Sequence, residues 1–263
     1  MKITLIQSDL KWEDPQGNLS HFDSLINSLE EKSDLIVLPE MFSTGFTMNP
    51  QKFAEDQPGE SLNWLRKKSD ETQTPITGSV SVKEGENYYN RLYWMKPDRT
   101  FEHYDKRHLF RMAKEDQHYA SGTKKIITKI EDWKICPLVC YDLRFPVWSR
   151  NKYDAKKNEW TYDVLIYVAN WPEVRSYAWK HLLIARAIEN QCYVIGVNRV
   201  GKDGNGFDHS GDSVVINPRG EIISALERNK EQVSTIDLDR SYLDDFRKLF
   251  PVGLDADGFE LES

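Results

Sequence analysis

The feature that most constrains this chain is an alternation, sustained almost end to end, between apolar runs of strand length and amphipathic stretches of helix length. Apolar side chains recurring every second residue can be buried on one face of a strand. Those recurring every three to four fall on one stripe of a helix, so a chain that keeps switching period stacks sheets against helices. Lys2 to Ile6 reads as an opening strand and Asn18 to Glu31 as a helix carrying Phe22, Leu25, Ile26 and Leu29 on one face. Asp34 to Leu38 reads as a fully buried strand halted by Pro39. Pro75 to Val82 and Asn90 to Met95 read as strands joined through the Gly85 turn, and Lys125 to Ile130 pairs with Trp133 to Val139 through Glu131 and Asp132. Asp163 to Ala169, Tyr193 to Asn198 and Ser213 to Ile216 are further β-rich runs. The first two are separated by a helical stretch from Ser176 to Gln191, an order that needs a crossover. Asn151 to Asn158 and the glycine-rich stretch Gly201 to Gly211 read as loops, and neither has the character of a linker. A chain of 263 residues with no repeat and no linker is expected to form one layered domain over 1–263.

Charge and cysteine usage narrow the setting. The chain has 35 Lys and Arg against 42 Asp and Glu, a net charge of −7, with only short same-sign runs, so no basic footprint for nucleic acid is expected. The N-terminus is too short in apolar residues for a signal peptide, and no later stretch is long enough to span a membrane. A cytoplasmic protein follows as the expectation. Cys136, Cys140 and Cys192 are an odd number of cysteines in a chain without an export signal, which predicts free thiols.

One of those thiols sits where chemistry is expected. In Lys134-Ile-Cys-Pro-Leu-Val-Cys140-Tyr-Asp-Leu-Arg-Phe-Pro146 an apolar strand stops at Cys140 and a turn begins, probing toward a short helix around Val147 to Arg150. Such an elbow lifts a side chain to a sheet edge and leaves the following N–H, that of Tyr141, to donate to an oxyanion. A thiol of ordinary pKa is mostly protonated at neutral pH and needs a base or a cation. Leu35-Ile-Val-Leu-Pro-Glu40 places a carboxylate at the end of a buried strand, where partial desolvation favours a working general base. Phe101-Glu-His-Tyr-Asp-Lys106-Arg-His-Leu-Phe110 offers an ammonium for the negative oxygen of a tetrahedral intermediate. A low-pKa, iodoacetamide-sensitive Cys140 is the expected companion of an enzyme reading.

These three segments, in this order, resemble the nitrilase superfamily of carbon-nitrogen hydrolases. The likeness continues through Val168-Ala-Asn170-Trp-Pro172, Arg186-Ala-Ile-Glu-Asn190, Gly211-Asp-Ser213 and Asn217-Pro-Arg-Gly220, and so covers nearly the whole chain. Within the superfamily the likeness is strongest to the omega-amidase group. The resemblance implies an α+β fold, a four-layer α-β-β-α sandwich, and a homodimer in which residues 239–263, an amphipathic extension, pack on the partner or on their own sheet. It implies Cys140 as nucleophile, Glu40 as general base and then acid, Lys106 with the Tyr141 N–H as oxyanion stabilisers, and Glu115 as a second carboxylate, without metal or organic cofactor. The implied substrate is a small-molecule amide, the terminal amide of a dicarboxylic acid monoamide such as 2-oxoglutaramate or succinamate. A nitrile or carbamoyl amine substrate, or a non-catalytic binding protein on the same fold, stays open as an alternative.

Other residues invite weaker readings. His103, His108 and His118 lie close in sequence, but their spacings match no zinc signature. A papain-like pairing of Cys140 with His181 or His209 is chemically conceivable. Phe42, Phe46 and Trp171 are candidates to line a substrate cleft, and Arg175 and Arg199, each soon after a strand end, are candidates to bind a distant carboxylate. Asp142 and Arg144, opposite charges in one tight turn, are expected to hold that turn.

Overall fold

A computed structural model describes residues 1–261. Two mixed sheets stack face to face between two helical layers, giving the expected α-β-β-α sandwich. The first sheet runs in the order Gln232–Asp237, Lys2–Gln7, Leu35–Val37, Ile76–Glu84, Asn87–Met95, Phe101–Asp105. In the second the order is Ile222–Ala225, Val214–Ile216, Tyr193–Asn198, Val164–Ala169, Trp133–Val139, Thr128–Ile130. Each sheet has parallel strands at its centre and antiparallel strands at its edges.

Period-2 alternation assigns the layers. Along the first sheet Ile3, Leu5, Leu35, Val37, Leu92 and Trp94 belong to the core shared with the second sheet. Their neighbours Ile6, Ile36, Leu38, Tyr93 and Met95 pack instead with Leu19, Phe22 and Ile26 of the helix Pro15–Asn27 and Leu62 and Leu65 of the helix Glu60–Thr72. The central strand Val164–Ala169 is buried on both faces along its whole length, as a covered parallel strand must be. Trp179, Leu183 and Ala187, at four-residue spacing, seat the helix Ser176–Asn190 against the neighbouring strand Tyr193–Asn198, where Gly196 leaves room for Trp179 and Leu183. Burying each such aliphatic side chain contributes about 2 kcal/mol, so a one-residue slip of any central strand would forfeit several such terms.

Several expectations need amendment. Gly201 to Gly211 is no open loop: Val200–Lys202 pairs antiparallel with Asp208–Ser210, and the Asp203 carboxylate closes the turn by accepting the N–H groups of Asn205 and Phe207. The helix Glu60–Thr72 went unread because its buried face includes Ser61, Lys68 and Ser69, which blur the apolar period. Phe101–Asp105 is an edge strand inside a stretch that reads as charged. The strand Gln232–Asp237 is only half-buried and carries little apolar signal. The helix Arg240–Leu249 covers its own sheet: Leu243 is fully buried, and Arg247 pairs with Asp163 at 2.6 Å. Of the extension 239–263, residues 262–263 lie outside the described residues. No helix among the described residues is long and apolar enough to cross a membrane.

Candidate active site

Four strands from two sheets deliver the candidate site residues at their carboxyl ends. Glu40 follows Leu35–Val37 by three residues, Lys106 follows Phe101–Asp105 directly, Cys140 follows Trp133–Val139, and Asn170 follows Val164–Ala169. That edge is where α/β architectures leave backbone groups and side chains free to meet a ligand.

The first sheet holds a buried carboxylate, ammonium, carboxylate row. Lys106 Nζ lies 2.8 Å from Glu40 Oε1 and 3.0 Å from both oxygens of Glu115, and all three side chains are inaccessible to solvent. Glu40 is pinned further: Asn90 Nδ2 donates to Oε1 at 2.8 Å and the Asn170 N–H, from the second sheet, to Oε2 at 2.8 Å. Glu115 also accepts the Phe110 N–H at 2.6 Å. The Glu115 segment is fastened by Gly122, whose N–H donates to the Lys106 carbonyl at 3.0 Å. A Cβ on Gly122 would fall 2.0 Å from the Asp105 carbonyl oxygen, so no other residue permits that approach. Burial by itself lowers the Lys106 pKa, but the Glu115 and Glu40 charges outweigh it and hold the ammonium above its ordinary value. Burial raises the Glu115 pKa, with Lys106 opposing.

Cys140 opens a short 3-10 turn, Cys140–Arg144, at φ +42°, in the left-handed region. Such strain costs about 1–3 kcal/mol and clusters at functional sites. The Tyr141 N–H stands at the start of this turn, where helical N–H groups lack an intrahelical acceptor. The thiol is 9% exposed, at the base of a cavity of about 150 Å³. Burial first, and then the Glu40 charge, push its pKa well above the ordinary thiol value, with Lys106 opposing. This overturns the expectation of a low-pKa thiol. Burial and the neighbouring carboxylates thus favour the protonated thiol over the thiolate.

Among the sequence candidates, Phe46, Tyr141, Trp171 and Arg175 line the cavity. Phe42 does not: it packs between Phe22 and Trp64, each ring centroid 5.7 Å away, on the helix side of the first sheet. Arg199 does not line it either. Its guanidinium is buried and donates to the carbonyls of Val200 and Leu10 and to Asp9 at 3.1 Å, away from the cavity. Arg144, read from the sequence as a turn residue in preference to a substrate ligand, lies over the Trp171 ring at 4.9 Å inside the cavity. Arg175 lies over the Phe110 ring at 5.4 Å. Among the described residues neither makes an ion pair. His181 stacks on Tyr177, exposed and outside the cavity. His209 lines the cavity wall with its pKa pushed down to about 4 by burial and by the charge of Arg199.

Asn90 and Asn170, which orient Glu40, were not singled out for a role in the site. An Asn at the head of the apolar run Asn90 to Met95, fully buried within the strand Asn87–Met95, is out of place there, and that mismatch is the signal available in the sequence. Asp142 is fully buried with four hydrogen bonds around its carboxylate. Among the described residues no three His, Cys, Asp or Glu side chains form a group able to hold a metal ion.

Comparison with known proteins places the chain in a family. The family profile described as carbon-nitrogen hydrolase matches residues 2–248. Omega-amidase YafV of Escherichia coli is 46% identical over 263 residues, covering 99% of this chain and 98% of that protein. The 2-oxoglutaramate amidase of Bacillus subtilis is 31% identical, covering 95% of each. The crystal structure of a CN-hydrolase superfamily protein from Xanthomonas campestris, with an arsenic adduct in its active site, superposes with a TM-score of 0.96 at 43% identity, over 100% of this chain and 99% of that one.

Proposed function

The chain belongs to the carbon-nitrogen hydrolases of the nitrilase superfamily, in the omega-amidase group, and is an amide-hydrolysing enzyme; from that premise we propose that it removes ammonia from the terminal amide of a short dicarboxylic acid monoamide, of the 2-oxoglutaramate or succinamate type, through a Cys140 thioester. The observation that carries the reading is one cavity with Cys140 at its base, beside the Glu40, Lys106 and Glu115 row, and with two aromatic-stacked guanidinium groups, Arg144 and Arg175, on its walls. A planar guanidinium free of a counter-ion is suited to a carboxylate.

In this reading the Cys140 sulfur attacks the amide carbon while its proton passes to Glu40. The carbonyl oxygen takes the electron pair and is held by Lys106 Nζ and the Tyr141 N–H. Because the proton moves to Glu40 as the oxyanion forms, the formal charge of the buried cluster and the reacting atoms together is unchanged through the step. The C–N bond then breaks, Glu40 returns the proton to nitrogen, and ammonia departs from a thioester. Water attacks the thioester carbon, giving its proton to Glu40. The C–S bond breaks, the sulfur recovers that proton, and the acid leaves. Glu115 fixes Lys106 in place through two hydrogen bonds and does not meet the substrate.

The test is ammonia release by the purified enzyme from 2-oxoglutaramate, from its methyl ester, from an aliphatic nitrile and from a carbamoyl amine. The free carboxylate is expected to raise kcat/KM over the ester by roughly 10²-fold or more, since the ester leaves a guanidinium unpaired. Faster turnover of the nitrile or carbamoyl amine would sink the proposed substrate. The enzyme is further read as a homodimer, supported by Val174, Tyr177 and Ile188, which the monomer leaves exposed on and beside the helix Ser176–Asn190. Sedimentation should give twice the chain mass at micromolar concentration; a monomer there would refute it.

A further inference from the structure

We propose that Asp142 is a positioning residue that locks the Lys106 and Cys140 segments into one rigid frame; the inference rests on the reading of those two residues as catalytic. Its carboxylate is fully buried and faces four donors. Oδ1 accepts the His108 N–H at 3.1 Å and lies 2.7 Å from His108 Nδ1, which must be the protonated nitrogen because a carboxylate only accepts. Oδ2 accepts the Tyr104 hydroxyl at 2.7 Å and the Val139 N–H at 3.1 Å.

The positions of those donors are the point. Tyr104 and His108 stand two residues before and two residues after Lys106, on the edge of the first sheet. Val139 immediately precedes Cys140, and Asp142 follows it by two residues, on the second sheet. One carboxylate therefore ties together the two chain segments that must present an ammonium and a sulfur to the same carbonyl, although they belong to different sheets. Secondary contacts brace the same frame. Trp148 Nε1 and the Arg107 N–H donate to the Tyr104 oxygen at 3.0 and 3.1 Å. The His108 ring stacks on Phe145 at 3.8 Å, and Phe145 meets the edge of Tyr141, whose N–H faces the oxyanion in the proposed mechanism.

The chemistry of the clamp admits no substitute with a donor in it. Both backbone partners, His108 N–H and Val139 N–H, only donate, and they address different oxygens. An Asn in place of Asp142 must turn its NH2 toward one of them, leaving that N–H buried and unpaired, so one segment is pushed off whichever way the amide turns. Misplacing a reacting group by about 1 Å costs roughly 10²-fold in rate.

Asp142→Asn is therefore expected to lower kcat for 2-oxoglutaramate by roughly 10²-fold while KM changes by less than about 3-fold, because the cavity guanidinium groups are not part of the clamp. Tyr104→Phe removes one of the four bonds and little volume, and is expected to lower kcat by roughly 3- to 10-fold with KM preserved; it decides the matter if Asp142→Asn fails to fold. Alkylation of native Cys140 by iodoacetamide, which also needs the sulfur aimed into the cavity beside Glu40, should slow in step with kcat in both variants. This readout needs no substrate, so it tests the clamp even if the proposed substrate proves wrong. Either of two results overturns the inference: kcat and alkylation rate in Tyr104→Phe within 2-fold of wild type, or losses in kcat matched by equal rises in KM, as general loosening of the fold would give.

Discussion

Cys140→Ala is expected to abolish ammonia release, lowering kcat by at least about 10⁴-fold, the scale seen when the nucleophile of an acyl-transfer site is removed. The residual oxyanion donors and the Glu40 base would still bind the amide, but no group remains to form the thioester. Alanine keeps the Cβ that the left-handed backbone at position 140 must already accommodate, and it removes a single sulfur that borders the cavity. Stability should therefore change by no more than about 1 kcal/mol. A urea melt beside the ammonia assay separates loss of chemistry from loss of fold, and more than about 1% residual turnover in well-folded Cys140→Ala would rule the nucleophile out. The raised thiol pKa adds a pH signature to the wild-type enzyme. Cys140 should alkylate slowly at neutral pH, and faster as pH rises and the thiolate becomes populated, the opposite of a preformed thiolate whose rate is already flat near neutrality.

Lys106→Met is expected to do double damage. It removes the proposed oxyanion ammonium, and it leaves Glu40 and Glu115 facing each other with no cation between them, both inaccessible to water. Breaking a buried ion pair by deleting one partner costs about 3–5 kcal/mol, here roughly a 10 °C fall in Tm for a chain of this size. Adding Glu115→Gln to that variant leaves a single buried carboxylate in place of two facing each other, and should recover most of the lost stability while recovering no activity. That split distinguishes an ammonium used in chemistry from one that only balances buried charge. If the double variant turned over amide at near the wild-type rate, Lys106 would have no part in the reaction. If Lys106→Met melted with the wild-type, the buried row would not be an ionised cluster at all.

The sandwich was legible because its central strands are nearly pure apolar runs, as in Asp34 to Leu38 and Asp163 to Ala169, and because Trp179, Leu183 and Ala187 repeat at helical spacing. What escaped lies at edges and on half-wet faces. Phe101–Asp105 and Gln232–Asp237 pair through backbone groups that carry no side-chain signature, and the helix Glu60–Thr72 buries a lysine along with its leucines. In the site, Glu40 and Cys140 stood out because each follows a recognisable apolar strand, whereas Lys106, in a stretch that reads as charged, stood out only in company with the other two motifs. Phe42 and Arg199 were misplaced because proximity in sequence does not fix the side to which a side chain turns: two residues past Glu40, Phe42 already faces the helices. Arg199 spends its donors on the Asp9 and Leu10 segment, nearly two hundred residues away in the chain, a meeting no local pattern encodes. Asn90 and Arg144 required the converse, a contact between different strands of one sheet that only the folded register supplies.

Because Glu40 and Lys106 ride on one sheet while Cys140 and Asn170 ride on the other, the proposed catalytic apparatus has no existence in either half alone. A chain caught partway through folding, with both sheets formed but not yet docked, carries a thiol without its base and a base without its clamp. Recovery of amidase activity during refolding is thus expected to require the docking of the two sheets, marked by the Glu40 to Asn170 hydrogen bond between residues 130 apart in the chain.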